Sequence, residues 1–184
     1  DESGGIKSRN PEELLRLFET LVAAKDLLLT VKSPVPDGLS SAIKRIAPVL
    51  RALRHADGAL ARFHGGGRGT EGRVDQALIQ SGVRSGVFSG LAMGYQRLSS
   101  GRTTLIADSA PPPVGLGSDM AHASTLGFEL TTGRRPLLVN CGCGAPFGKR
   151  WARASRATVS HCVLSIEGVS SAQLSAGSDA IQSG

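Results

Sequence analysis

The chain has 184 residues, of which 40% are hydrophobic and 20% charged, and this balance excludes a largely disordered protein. Its formal net charge of +6 favours acidic partners. The basic residues are spread along the chain and form no long run, which favours a solvated basic surface over a nucleic-acid-binding site. No apolar stretch approaches the length of a membrane span, and the first residues lack the pattern of a signal peptide. We therefore expect neither nucleic acid nor a membrane among the partners.

A helical hairpin is predicted at the N-terminal end. Asn10 can cap a helix that begins at Pro11, and apolar residues at helical spacing continue to about residue 28. The segment SPVPDG at 33–38 breaks this helix. A second apolar stripe predicts another helix over 39–53, which Pro48 is expected to kink or shorten. Residues 1–56 should thus form a hairpin whose remaining apolar surface needs a partner chain or an oligomer to cover it.

Strand signals dominate from residue 57 onward. A short strand is predicted at 59–64, followed by a glycine-rich loop without the Lys-Ser/Thr ending of a phosphate loop, and by a short helix at 74–79. Alternating segments then predict two β-hairpins and one long strand, at 93–98 with 102–108, at 125–130 with 136–141, and at 156–166. We therefore predict a mainly β (α+β) fold in which residues 57–184 form an antiparallel, β-sandwich-like sheet domain.

Three stretches of the sheet region carry a family resemblance. They are GYQRLSSGRTTLIADSAPPP, AHASTLGFELTTGRRPLLVNCG and RATVSHCVLSIEGVSSAQ, and the likeness extends back through LRHADGALARFHGG to SRNPEELLRLF. In this order they resemble the heparinase II/III-like polysaccharide lyases, which build an α/α toroid followed by antiparallel β-sheets. The resemblance implies that this chain holds the end of the toroid and the sheet region. It also implies a bacterial origin and a periplasmic location; without it, a cytoplasmic location is expected.

The resemblance implies a chemistry as well. These lyases cleave acidic polysaccharides by β-elimination: a base removes the C5 proton of a uronic acid, an acid protonates the leaving oxygen, and a third group stabilises the charge on the carboxylate. Most of that machinery belongs to the toroid. This chain is therefore similar to a fragment or domain of a lyase that acts on or binds an acidic polysaccharide. The catalytic histidine of the sheet region corresponds to position 120, where this chain has methionine.

A zinc site is a further implication of the resemblance. Two histidines and an aspartate can bind zinc in the family's sheet region, and these positions match His122, Asn140 and His161. Asn140 departs from the pattern, because an amide is a poorer zinc ligand than a carboxylate. Nearby cysteines could replace that carboxylate as thiolates. The alternatives are hydrogen-bonded imidazoles at the edge of a sheet and cysteines that are simply small buried residues.

Four residues of the sheet region are candidates for substrate binding, namely Arg97, Trp151, Arg153 and Arg156. Arginine forks match carboxylate and sulfate groups, and an indole ring offers a flat apolar face to a sugar. The alternative is that the arginines keep the surface soluble and Trp151 anchors a loop. At the level of function, the alternative to a lyase-like domain is a non-catalytic structural or interaction module.

Overall fold

The computed structural model describes residues 1–84 and 90–174, together with the backbone of 181–183. In chain order the elements are α1 (Pro11–Thr30), α2 (Asp37–Ala52), α3 (Arg73–Gln80), β1 (Tyr95–Ser100), β2 (Thr103–Asp108), β3 (Phe128–Thr132), β4 (Arg135–Leu138), α4 (Lys149–Ala154), β5 (Ala172–Leu174) and β6 (Ile181–Ser183). Short 3₁₀ turns lie at Gly115–Gly117, Ala145–Phe147 and Thr158–Ser160. Within the described ranges, no helix combines the length and the apolar character needed to cross a bilayer.

The predicted helical hairpin is confirmed. The Asn10 side chain accepts hydrogen bonds from the backbone N–H groups of Glu12 and Glu13, at 2.9 and 3.2 Å, and so caps α1. The second helix is not shortened by Pro48 and runs on to Ala52. The two helices contact each other, and their inward side chains belong to one buried cluster that includes Leu14, Leu15, Phe18, Ile43 and Leu50.

The two predicted β-hairpins are confirmed, and they join into one four-stranded antiparallel sheet with the order β1-β2-β3-β4. Side chains alternate between the two faces of each strand. On the inward face, Ile106 is fully buried and belongs to the same cluster as the helices. The sheet therefore packs on the helical hairpin. The outward face carries a row of four leucines that oppose one another across the strands, Leu98, Leu105, Leu130 and Leu138.

Two predicted strands are wrong. Residues 156–166 form turns and a short 3₁₀ segment instead of a long strand. Their polar groups bond to another loop: Arg156 Nε donates to the carbonyl of Ala121, and Thr158 Oγ1 donates to that of Ala123. These side-chain contacts take the place of a strand ladder. The segment 59–64 contributes only an isolated bridge between Leu60 and Arg54.

The α+β fold is confirmed, with an antiparallel sheet preceded by a helical hairpin. The sandwich and the domain boundary at residue 56 stay predictions. The main buried cluster contains residues from both sides of that position, from Leu14 to Ile106. A second, small cluster consists of Ala121, Ala123 and Ala172.

Candidate functional site

Two of the predicted site residues, His122 and His161, lie side by side in the interior. Nδ1 of His122 is 3.0 Å from Nε2 of His161, and the side chains are almost fully buried. Nδ1 of His161 is 2.9 Å from the carbonyl oxygen of Ala157, and a carbonyl only accepts hydrogen bonds. His161 therefore carries its proton on Nδ1 and accepts at Nε2, so His122 donates from Nδ1. This leaves Nε2 of His122 as a buried lone pair without a partner in the described part of the chain.

A third imidazole and an ion pair support this histidine pair. The backbone N–H of His122 donates to Nδ1 of His64 at 3.1 Å, and Nε2 of His64 lies 3.3 Å from a carboxylate oxygen of Asp108. Asp108 also pairs with Arg9 and accepts a hydrogen bond from Ser124 at 2.7 Å. These contacts join the start of α1, the end of β2 and the loop before β3. The local backbone around the pair is therefore fixed by buried polar contacts.

Burial sets the charge state of these groups. It lowers the pKa of His122 to about 2, with the neighbouring His161, His64 and Arg156 acting in the same direction. Burial also lowers the pKa of His64 and of His161. For Asp108, burial alone would raise the pKa, but hydrogen bonding to His64 and the charge of Arg9 outweigh it and hold the pKa below its usual range. At neutral pH the site therefore holds neutral imidazoles above one ionised carboxylate.

Asn140, the third predicted site residue, joins the loop after β4 to the histidine segment. Its side-chain oxygen accepts a hydrogen bond from the backbone N–H of Cys162 at 2.9 Å. Its own backbone N–H donates to Glu129 Oε1 at 2.9 Å, and the other oxygen of Glu129 lies 2.8 Å from Nε2 of His55. The side-chain nitrogen of Asn140 is a buried donor without a partner among the described residues. Asn140 is thus linked by one hydrogen bond to the residue that follows His161.

Four supporting residues were missed by the sequence reasoning. They are His55, His64, Asp108 and Glu129, and all are buried. Strand alternation predicts the opposite for Glu129, because apolar Phe128 and Leu130 would face the core and leave Glu129 in solvent; the structure buries Glu129 instead. No local pattern marks the other three, since their ion pairs join positions 44 or more residues apart in the chain.

The predicted substrate-binding residues separate into three environments. Arg97, in β1, extends its side chain to the end of α2, where its Nη1 donates to the carbonyls of Ala52 and Arg54 at 3.1 and 2.8 Å. The Arg156 side chain is buried and donates to the carbonyls of Ala121 and Ser118. Trp151 and Arg153 are exposed on α4, so they remain directly available to a ligand.

Helix α4 contributes to two different grooves. A groove of about 560 Å³ is basic, and its lining includes Arg150, Arg153 and Arg156. The other, of about 460 Å³, is largely apolar, and its lining includes Trp151, Phe147 and Cys141. Positions three apart share a helix face, whereas positions two apart do not, which explains why Trp151 and Arg153 line different grooves. Burial raises the pKa of the Cys141 thiol, so this cysteine is a poor source of thiolate.

The comparisons with known proteins decide the family. The family model described as Heparinase II/III-like, C-terminal matches residues 82–182. The chain belongs to this family. It is also 36% identical over 141 residues to FtsZ-localized protein C of Caulobacter vibrioides, a match that covers 76% of this chain and 24% of that protein.

Solved structures of the family share the fold. The heparan sulfate lyase HepC of Pedobacter heparinus superposes with a TM-score of 0.71 at 16% identity, over 90% of this chain and 30% of HepC. A structure of Heparinase III gives a TM-score of 0.66 at 15% identity, over 91% of this chain and 33% of that one. The chain therefore spans about a quarter to a third of the proteins it matches.

The donor set suits zinc only in part. His161 has part of the arrangement expected of a zinc ligand, because one ring nitrogen donates to a backbone carbonyl, but the lone pair on the other accepts from His122. Among the described residues, however, no group of three His, Cys, Asp or Glu side chains could hold a metal ion. Two imidazoles and the neutral amide of Asn140 fall one charged ligand short of a family-like site. Zinc at this trio stays a prediction.

Proposed function

We propose that this chain is a heparinase II/III-like C-terminal domain that binds acidic polysaccharide in the basic groove beside α4. The observation that carries the proposal is the lining of that groove. Arg150 and Arg153 are exposed, lie three residues apart on one face of α4, and share the groove with Arg156. The groove is large enough, at about 560 Å³, to take several atoms of a sugar ring and its anionic group.

The chemistry of the lining matches an acidic sugar. A guanidinium can form two parallel hydrogen bonds to one carboxylate or sulfate, which gives both affinity and orientation. Ser170 and Gln173 add neutral hydrogen-bonding groups, and Ala154, Ala157 and Ala172 add apolar surface for the C–H face of the ring. Arg156 already bonds to two backbone carbonyls, so its part is to add positive charge behind the two exposed arginines.

We propose that catalysis by this chain alone is absent. Methionine has no titratable group, so Met120 cannot transfer the proton that a histidine at this position would transfer. Burial also lowers the pKa of His122 and of His161, so both stay neutral and away from solvent. Elimination therefore depends on groups outside the 184 residues of this chain.

Binding is tested with a uronic-acid polysaccharide, measured by calorimetry on the native chain and on Arg153→Gln. Removing one exposed guanidinium should weaken binding about fivefold. Arg134→Gln is the matched control, since Arg134 is exposed in the β3–β4 turn and does not line the groove. Equal losses in the two variants, or no binding by the native chain, would contradict the proposal. The ultraviolet absorbance of unsaturated uronate should stay flat throughout.

A second candidate function is a non-catalytic interaction module. It is favoured by the relationship to FtsZ-localized protein C, whose name refers to its localisation with FtsZ. Apolar side chains on the outer surface of α1 would suit a partner, with Leu17, Leu27 and Leu29 exposed by 40%, 64% and 55%. Sedimentation of the chain together with FtsZ filaments would support this function. A monomer by light scattering that stays in the supernatant would contradict it.

A further inference from the structure

A group of arginines near the end of α2 lines a separate groove. Arg51 lies in the last turn of α2, Arg54 follows the helix, and Arg84 follows α3. Together they line a groove of about 930 Å³, whose other residues are Asp75, Leu78, Ile79, Gly82 and Val83. This groove shares no lining residue with the two grooves at α4.

Positive charge is in excess in this groove. Asp75 is the one carboxylate among its lining residues, and it accepts a hydrogen bond from Arg54 Nη2 at 2.7 Å. Arg51 Nη2 donates to the carbonyl of Val83, which is uncharged, and Arg84 is exposed. Three guanidiniums therefore face a single carboxylate, and a bound anion would relieve their mutual repulsion.

Unpaired donors point to the same conclusion. Within the described residues, Arg51 Nη1 and Arg54 Nε are buried and have no hydrogen-bond acceptor. Buried N–H groups without acceptors are rare, because each loses its hydration without a replacement. Arg97 lies close behind: burial lowers the pKa of this residue, and the charge of Arg54 lowers it further. The local electrostatic potential is therefore strongly positive, and the described residues supply too few hydrogen-bond acceptors for these N–H groups.

We propose that this groove binds an oxyanion, a sulfate or phosphate group carried by a larger ligand. Arg51 and Arg54 line the groove, and each carries a buried N–H group without an acceptor among the described residues. Arg84 adds an exposed guanidinium group. The side chains of Leu78 and Ile79 give the carbon skeleton of the ligand an apolar wall. This site is independent of the polysaccharide groove at α4 and needs no ligand there.

The test titrates the native chain with sodium sulfate and with sodium phosphate at constant ionic strength, balanced with chloride, and follows Tm. A saturable rise in Tm with either ion is expected. Arg84→Gln and Arg51→Gln should each weaken the apparent affinity about tenfold. Arg45→Gln is the matched control, because Arg45 is exposed on the same helix outside the groove. If Arg51→Gln fails to fold, Arg84→Gln alone decides the outcome.

Two results would overturn the site: a Tm that rises no more with sulfate or phosphate than with chloride, and an equal loss of affinity in Arg45→Gln. Glucose 6-sulfate and glucose 6-phosphate then distinguish the source of the anion. Tighter binding of the sulfate ester supports a sulfated glycan, tighter binding of the phosphate ester supports a phosphorylated metabolite, and binding of neither overturns the larger ligand. Arg134 is exposed and lines neither this groove nor the groove at α4, so Arg134→Gln should leave all of these affinities unchanged.

Discussion

The two parts of this molecule are stabilised by different interactions. From α1 to β2, the buried side chains form one apolar cluster that extends from Leu14 to Ile106. Beyond β2, the apolar cluster shrinks to three alanines. Most buried side chains of that part are polar, and they include His122, Glu129, Asn140, Arg156 and His161. The N-terminal part depends on burial of apolar area, and the C-terminal part depends on hydrogen bonds between loops.

This difference explains where the candidate site lies. Apolar contacts are non-directional and tolerate exchange of one aliphatic residue for another. Hydrogen bonds require a particular partner at a particular distance. The loops that carry His122, Asn140 and His161 have little regular structure, so directional contacts are what fix their side chains. The same contacts make the C-terminal part sensitive to charge and to pH.

The largest effect is expected from the apolar cluster. Phe18 is fully buried, so Phe18→Ala should lower the free energy of unfolding by about 3–5 kcal/mol. The loss should be the same at low and high salt, because no charge is involved. Urea denaturation provides the measurement. Leu27→Ala on the same helix is the control, since Leu27 is 64% exposed and should cost less than about 0.5 kcal/mol. Similar losses for both variants would contradict the apolar account.

Among the buried polar contacts, we expect the largest loss of stability when Asp108 is changed. Asp108→Asn removes the charge that pairs with Arg9 and leaves a buried guanidinium uncompensated, which should cost about 3 kcal/mol. Asp119→Asn is the matched control, because Asp119 is exposed. Denaturation at neutral pH distinguishes the two. A loss below about 0.5 kcal/mol for Asp108→Asn would show that the polar network contributes little to stability.

The same difference explains what could be predicted from the sequence. Helices α1 and α2 and the two hairpins follow from apolar periodicity, because apolar burial holds them in place. The segment 156–166 also alternates, but the alternation there reflects Arg156 and Thr158 bonding to a distant loop. Sequence spacing cannot identify partners that lie 35 residues apart. The histidine pair was predicted through a family resemblance. The supporting contacts of Asp108 and Glu129 could not be predicted from the sequence.

Asn140 offers a way to convert the polar site. Asn140→Asp should destabilise the metal-free chain by about 2 kcal/mol, because it buries a carboxylate beside Glu129. Zinc should restore that stability, since the aspartate completes a ligand set with His122 and His161. Urea denaturation with zinc and with a chelator gives the comparison, and elemental analysis gives the metal content. The native chain and an Asn140→Asp, His161→Ala double variant are the controls.

A zinc response as large in that double variant as in Asn140→Asp would contradict the assignment of ligands. Zinc bound by the native chain in a one-to-one ratio would instead support the zinc site at His122, Asn140 and His161 that the family resemblance implies, with the amide as third ligand.

Acid should weaken the polar part first. His64, His122 and His161 have lowered pKa values in the folded chain, so below about pH 6.5 the unfolded chain binds protons that the folded chain does not. Stability is therefore retained above pH 6.5 and falls as the pH drops, by about 1.4 kcal/mol per pH unit for His122, whose folded pKa is about 2, with His64 and His161 acting in the same direction. Urea denaturation between pH 5 and 7.5 measures the slope. In His122→Gln, unfolding should take up one proton fewer, so the slope of stability against pH should decrease accordingly. An unchanged slope would contradict this prediction.

The smallest effect on stability is expected at Trp151, and it separates binding from folding. Trp151 is as large an aromatic residue as the chain offers, but it is 62% exposed on α4. Trp151→Ala should therefore change the free energy of unfolding by less than about 0.5 kcal/mol, whereas Phe18→Ala costs several times more. A large loss would mean that Trp151 anchors α4, and weaker polysaccharide binding by that variant would then reflect a displaced groove. A small loss combined with weaker binding would place the indole in contact with the ligand.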